Sequence, residues 1–413
     1  MEEISCLYVT RACSLGLYDS LNLKPSFAAV KFNRMLQKGL TKNHIKITQL
    51  MINDSKFGST KLINDEGIEI LCGPEMNYVK KLIITIKYSF SFFKNNKNAI
   101  LICDYLNYTT TIAALFMSKI FKKKSICIVT DLPDYIGGYD LRCKHTLKEI
   151  LYVKIGYLIL KRFHYYVLLT EQMSEKIKCK RYIIVEGLYD DEYEKETTVI
   201  REKKIMYAGS LQKEYGIDSL ITGFLKSKYA NDFELKIFGD GDCKNEIQKI
   251  CNKNNNINYY GVASNRTILK EEKESYLLVN PRPSNKEYCK YSFPSKNIEY
   301  MASGTPLLTS LLPGMPFEHQ KYVYIIKNES STGIAEGINR VLEKNETEIN
   351  EFGSKARDYI LKNKNSQIQA KKILELILQW FVFIMNNIKQ ATKAKYNRTL
   401  HILLKEGYYH ELL

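Results

Sequence analysis

With 413 residues, 45% of them apolar and 26% charged, the chain reads as a folded globular protein long enough for two domains with separate cores. Its ten cysteines include no CxxC pair and its six histidines no HxxxH or HExxH spacing. That excludes a patterned zinc site or disulfide framework and leaves reduced, buried thiols. The net charge of +16 is concentrated in residues 1–189, which hold 28 Lys/Arg against 16 Asp/Glu. An anionic partner is therefore expected there: nucleic acid, a phospholipid surface or a phosphorylated acceptor.

In chain order, the amino terminus "MEEISCLYVT" is acidic and enters a strand pattern directly, unlike a signal or transit peptide, so a cytoplasmic protein is expected. Strand patterns follow at "SCLYVT", "IKITQLMI", "AILICD", "SICIVT", "YYVLL" and "YIIVEG". Helical patterns lie between some of them, at "PSFAAVKFNRMLQKGL", "NYTTTIAALFMSKIF" and "TLKEILYVKIGYLILKRF". The acidic stretch "YDDEYEKETTVIREKK" is poor in apolar residues and reads as an interdomain connection. Beyond it come strands at "KIMYAG", "ELKIFG", "INYYG", "YLLVN", "TPLLTS" and "YVYII", with helices at 217–228, 243–254 and 295–303.

Continuous apolar strands separated by helices predict an α/β fold with parallel sheets covered on both faces. The expectation is two stacked Rossmann-like domains, 1–190 and 205–363, joined by a linker at 191–204 and facing each other across a cleft. Residues 364–413 read as helices packing back on the first domain. The longest apolar run, "ILELILQWFVFIM", is interrupted by Glu375 and Gln379 and is too short to span a bilayer.

Three strand-to-helix loops of the second half carry candidate chemistry. Gly209 and Ser210 follow one strand, Gly239 and Gly241 the next, and Arg282 ends a third. Helix-start N–H groups favour phosphate, and glycine lets a ligand approach the backbone; each loop alone also fits a turn. In "YSFPSKNIEYMASGTP" (291–306), Ser295 is a suitable N-cap and Gly304 a suitable C′ residue. Ile298, Met301 and Ala302 share a face to bury, while Lys296, Glu299 and Ser303 share another. Lys296 and Glu299 form either an i,i+3 ion pair or a site in which the carboxylate holds ribose hydroxyls.

"YAGSLQKEYGIDSLI", "LKIFGDGD", "INYYGVAS" and "SFPSKNIEYMASGTPLLTS" resemble, in order and spacing, a GT-B glycosyltransferase of retaining family 4. "NPRP", "KYSFPSK" and "LPGMP" resemble a bacterial capsular and exopolysaccharide subgroup, and weaker similarity reaches "PSFAAVKFNRML", "TDLPDY", "VLLTEQM" and "VEGLYD". The resemblance implies a metal-independent enzyme with no cofactor beyond its UDP- or GDP-linked sugar donor. It places Glu299 on the nucleotide ribose and Ser292, Phe293 and Pro294 against the donor sugar and phosphates. Gly209 and Ser210 fall on the first phosphate-side loop, Gly239 and Gly241 near the nucleotide, and Val262 and Ala263 near its base. The chain departs from the family at Tyr291, where a glutamate is expected, and at Ser210 and Tyr215, where Arg and Lys are expected. Thr130 replaces a histidine before Asp131.

Arg282 and Lys296, with Lys213, are therefore the expected cations on the diphosphate, while Asp131 and Asp134 orient a saccharide or lipid-linked saccharide acceptor from the first domain. The acidic run "DDE" falls in the linker and is not read as a metal motif. The basic first domain suggests peripheral attachment to the inner membrane face, with "KIFKKKS" and "LKRFHYY" as patches. Competing readings are a GT-B epimerase or hydrolase and a non-enzymatic nucleic-acid-binding protein. The sequence has no recognition helix, zinc motif or RNP-like aromatic pattern, so nucleic acid is not the expected partner.

Overall fold

The structure is a computed structural model that describes residues 4–14, 16–18, 27–55, 61–74, 77–135, 146–189 and 200–376. The first domain contributes β1 (Ile4–Val9), β2 (Ile45–Ser55), β3 (Lys61–Asp65), β4 (Ile68–Pro74), β5 (Ala99–Asp104), β6 (Lys124–Val129), β7 (Tyr165–Leu168) and β8 (Tyr182–Ile184). They form one sheet in the order β3-β4-β2-β1-β5-β6-β7-β8, parallel except where β3 runs against β4. The second domain contributes β9 (Glu202–Ala208), β10 (Glu234–Phe238), β11 (Ile257–Gly261), β12 (Ser275–Asn280), β13 (Leu307–Ser310) and β14 (Tyr324–Ile326). These form a parallel sheet in the order β11-β10-β9-β12-β13-β14.

Alternate residues explain why the strands look apolar throughout. Along β1, Leu7 and Val9 enter one core cluster and Cys6 and Tyr8 another, so both faces of the sheet are covered. The first of those cores continues through Met206, Ala208, Phe238 and Ile298, joining the two domains by apolar contact. All nine cysteines among the described residues are free. No described helix is long and apolar enough to cross a membrane.

The β3–β4 hairpin and helix Tyr78–Asn95 are not among the elements read from the sequence. The hairpin turn uses Glu66 (φ 51°) and Gly67 (φ 83°), a pair of left-handed residues that suits a two-residue hairpin. A glutamate is a weak signal for such a turn, and Asn64 supports it by accepting the Gly67 N–H at 3.0 Å. The expected linker also ends early, because β9 already begins at Glu202. Residues 190–199, including the "DDE" run, lie outside the described residues.

Direction along the sheet decides where the helices go. Helix Phe27–Lys42 connects β1 to β2, whereas Tyr78–Asn95, Tyr108–Ile120 and Leu147–Leu160 step from β4 to β5, β5 to β6 and β6 to β7. Right-handed crossovers put the last three on one face and Phe27–Lys42 on the other. That other face is covered by the chain's own return. After helix Glu346–Asn363, residues 366–376 are helical and lie on Phe27–Lys42. A Cβ at Gly39 would stand 2.1 Å from the Ser366 carbonyl oxygen, and Asn43 Nδ2 donates to the Gln367 carbonyl at 2.9 Å. Ala370 and Ile373 join Leu36 and Leu40 in the core; each fully buried aliphatic chain there contributes about 1.5–3 kcal/mol.

Candidate functional site

The carboxyl ends of β9, β10, β11 and β12 lie at one end of the parallel sheet, and the strand order reverses between β9 and β12, where such sheets open a crevice. The loops there are tied backbone to backbone. Gly209 N–H donates to Phe238 O (3.1 Å), Leu211 N–H to Asp240 O (2.9 Å) and Gly239 N–H to Gly261 O (2.8 Å). Gly239 has φ 131°, and a Cβ on it would stand 1.8 Å from the Gly209 carbonyl oxygen. Loop-on-loop packing thus requires the glycine, the structural one of the two readings its place after a strand allowed. Gly241 backs in the same way onto Leu211. The Ser210 carbonyl accepts the Tyr207 hydroxyl at 2.7 Å. Lys213 is exposed on the short turn Lys213–Tyr215, and past β11 Val262 is exposed and Ala263 half-buried.

Arg282, just beyond β12, is held by aromatic faces. Its guanidinium carbon lies 4.9 Å from the Tyr215 ring and 4.8 Å from the Tyr288 ring. Gly216 (φ 79°) brings the Tyr215 turn onto this segment, since a Cβ there would be 2.4 Å from the Pro281 carbonyl oxygen. The Arg282 Nε is buried and has no hydrogen-bond partner. Tyr215, where the resemblance implied a lysine, is thus a platform for an arginine three strands further along the chain.

Helix Ser295–Ala302 is buried more completely than its pattern suggests: Asn297 to Ala302 are all buried, Glu299 included. Its N-cap is Pro294, not Ser295, because proline lacks the N–H that a capped turn leaves orphaned and already holds a helix-compatible φ of −71°. Gly304 follows the helix with φ 77°, the left-handed stop expected of it. Tyr300 fixes the helix to β9, accepting the Ala208 N–H at 2.7 Å and donating to the Ala208 carbonyl at 3.0 Å. The Phe293 side chain is buried edge-on to His319, 5.4 Å between centroids.

Glu299 is the centre of a charge cluster. Its two carboxylate oxygens meet Lys296 Nζ at 2.5 Å and Lys31 Nζ, from the first domain, at 2.5 Å. Lys296 also lies 3.3 Å from Glu272 Oε1, while the Glu272 Oε2 is buried without a partner. Burial would raise the Glu299 carboxyl, but Lys296 and Lys31 outweigh it and hold it below the usual carboxylate range. Burial pushes the Glu272 carboxyl up to about 7, against the pull of Lys296. Lys31 and Glu272 are the members that sequence reading missed. Lys31 lies inside the matched segment "PSFAAVKFNRML", and Glu272 sits in the mixed-charge run "LKEEKE". Among the described residues no ion pair or hydrogen bond joins Arg282 to Lys296 or Glu299, and Lys296, expected on a diphosphate, is engaged by two carboxylates.

The first-domain segments singled out by sequence line the same seam. Thr170 Oγ1 donates to the Lys290 carbonyl at 2.7 Å and Gln172 Nε2 to the Pro313 carbonyl at 3.0 Å, so "VLLTEQM" meets "LPGMP". A Cβ on Gly187 would be 2.8 Å from Ile298 Cγ1. Tyr291 packs against Tyr135, centroids 5.3 Å apart, and so uses the missing glutamate's position for an interdomain contact. Asp131 is half-buried, and its carbonyl accepts the Tyr105 hydroxyl at 2.6 Å. Beside it, burial pushes the Asp104 carboxyl up to about 6, with Asp131 adding to the rise. Asp134 is buried, accepting the Tyr157 hydroxyl at 2.6 Å and pairing with Lys176 at 3.3 Å, so its carboxylate shapes this loop.

Comparison with known proteins agrees with this geometry. Residues 190–359 match the family model of Glycosyl transferases group 1. An uncharacterized glycosyltransferase of Methanocaldococcus jannaschii is 26% identical over 203 residues, 48% of this chain and 45% of that protein, so the chain matches less than half of the relative's length. Sucrose-phosphate synthase of Thermosynechococcus elongatus superposes with a TM-score of 0.63 at 12% identity, over 92% of this chain and 100% of that one. HepE of Anabaena, solved with UDP, gives 0.65 at 11% identity over 91% and 100%. TarM of S. aureus, solved with fondaparinux, alpha-GlcNAc-glycerol and UDP, gives 0.53 at 19% identity over 71% and 58%. The two sheets are thus those of the GT-B fold, and residues 190–359 are the part of the chain that matches the Glycosyl transferases group 1 model.

Proposed function

We propose that this chain is a retaining, family 4 hexosyltransferase that moves a hexose from a UDP- or GDP-linked donor to a lipid-linked saccharide in cell-surface polysaccharide synthesis. The observation that carries the reading is Glu299: a buried, ionised carboxylate at the seam, with cations on both oxygens and one of them from the opposite domain. A ribose presents two hydroxyl donors to such a carboxylate. The UDP bound in HepE and TarM supports a nucleoside diphosphate here.

In this reading the donor's anomeric C–O bond breaks and its electron pair passes to the diphosphate. The acceptor oxygen bonds to the same face of the sugar, and its proton goes to the leaving phosphate oxygen. Arg282, stacked and with an unpartnered Nε, meets the growing charge, which is worth several kcal/mol for a well-placed donor. No metal is assigned to this task. Lys296 sets the charge of the ribose pocket, and Asp131, with Asp104 behind it, orients the acceptor.

A thermal-shift screen with UDP, GDP and their sugars tests this on the wild type, Glu299→Gln and Arg282→Ala. A nucleotide at 100 times its dissociation constant should add about 2.7 kcal/mol to the wild type and little to either variant. A wild type indifferent to every nucleotide, or variants that respond fully, overturns the assignment. Donor turnover that needs no saccharide acceptor would instead favour an epimerase or hydrolase of the same fold.

A further inference from the structure

Helices Tyr78–Asn95, Tyr108–Ile120 and Leu147–Leu160 lie side by side on one face of the first sheet and keep apolar residues exposed there. Phe90 and Phe121 meet edge to face at 5.3 Å, and Tyr108 and Tyr152 stack at 4.5 Å, joining the three helices in sequence order. A solvent-facing helix stripe should be polar. Here it is not. The outward stripe of the first helix runs Val79, Ile83, Lys87, Phe90, Lys94; that of the second Ile112, Phe116, Lys119, Ile120; and that of the third Leu147, Leu151, Lys154, Leu158. Phe116, Leu151 and Leu158 are 56%, 58% and 57% exposed. An apolar face of this continuity marks an interaction surface.

Its charge is one-sided as well. Between residues 78 and 124 the sequence has nine lysines and a single acid, Asp104, which is half-buried at the carboxyl end of β5. The lysines gather where the helices end: Lys94 in the last turn of the first and Lys97 beyond it, Lys119 in the last turn of the second and Lys122–Lys124 beyond it, Lys161 and Arg162 after the third. Apolar ridges with a basic rim suit insertion just below an anionic headgroup layer. A second copy of the chain would bring the same lysines against these, and a nucleic acid would leave Ile83, Ile112, Leu151 and Leu158 against phosphate or water.

We infer that these three helices form the docking face for an anionic lipid surface. The third helix ties that face to the seam. Tyr157 donates to Asp134, and Gly156 lies so close to Pro133 that a Cβ would be 2.9 Å from its ring, so the Asp131–Asp134 loop rests on the membrane-facing layer. The inference stands on surface chemistry alone and does not depend on which nucleotide the chain binds.

The test is flotation of the full chain with vesicles of phosphatidylcholine alone or mixed with phosphatidylglycerol. The wild type should float with the mixed vesicles and not with the neutral ones. Phe116→Asp with Leu151→Asp should lower the partition coefficient by at least about tenfold, since each removes an apolar anchor and adds repulsion. Lys87→Gln, Lys94→Gln and Lys154→Gln together should lower it and flatten its salt dependence. Phe317→Asp, an equally exposed aromatic on the second domain, should leave it unchanged. All substitutions are at exposed positions, and circular dichroism melts confirm folding. Equal flotation of the Asp variant and the wild type overturns the inference. So does a wild type that ignores lipid charge, or one that sediments as a dimer that Phe116→Asp dissociates.

Discussion

Among the described residues two charge clusters cross the seam between the domains, and they differ in how far their cations are open to solvent. In one, Glu186 of the first domain is 3% exposed and is met by the Lys364 ammonium and by His319 Nε2 at 3.0 Å. Burial alone would raise its carboxyl, but His319 and Lys364 outweigh that and hold it at about 2. In the other, Glu299 is also buried, at 7%, yet its partners Lys31 and Lys296 remain 39% and 31% exposed. The same chemistry does two jobs. A buried charge whose capacity is met by buried partners locks the domains, whereas one whose partners lie open to solvent is placed to exchange them for a ligand.

The sharpest way to break this distinction is Lys364→Ala. Removing one partner of a buried pair should destabilise the protein by about 3–5 kcal/mol, read as a lower denaturation midpoint. Because the folded Glu186 carboxyl is depressed, its contribution is present above about pH 5 and is lost as pH falls toward about 2. Acid should therefore cost the wild type more stability than the variant. If Lys364→Ala melts like the wild type, the lock is no lock.

Glu272→Gln should have a smaller effect with the opposite pH dependence. A carboxyl raised to about 7 penalises the folded state as it ionises, so wild-type stability falls between roughly pH 5 and pH 8. Relative to the wild type, the variant should gain on the order of 1–3 kcal/mol across that interval. Parallel denaturant titrations at the two pH values check it, and a difference that does not move with pH would place Glu272 outside the cluster's electrostatics.

Lys31→Gln should matter least to stability, within about 1 kcal/mol, because its ammonium is well exposed. Its readout is nucleotide affinity. If Lys31 occupies an oxygen that a ribose hydroxyl would take, the variant should bind nucleotide a few-fold tighter. Weaker binding would mean that Lys31 touches the ligand itself.

The α/β class and most strands could be read directly, since strands such as β5 and β12 are continuous apolar runs whose burial on both faces leaves little ambiguity. The β3–β4 hairpin could not, because its turn rests on left-handed Glu66, a residue with no strong preference for that conformation. The site was readable where a local pattern carried it: Gly304 ends its helix, and Lys296 and Glu299 sit three residues apart. Other members escaped. Glu272 sits in helix Asn265–Glu274 beside Arg266, Lys270, Lys273 and two other glutamates, and its burial depends on the neighbours that close over it. Tyr215 looked like a lost lysine until Arg282 was found resting on its ring.

What the sequence alone determined was the alternation of buried strand and amphipathic helix, the basic first half and the loops that end in glycine, because these depend on residues near one another in the chain. Only tertiary structure decided that Lys31 reaches Glu299 across 268 positions, or that Gly39 faces Ser366. Only tertiary structure, too, aligned three lysine-rimmed apolar stripes on one face. Such contacts depend on how two sheets and the returning chain pack, and no local preference encodes that.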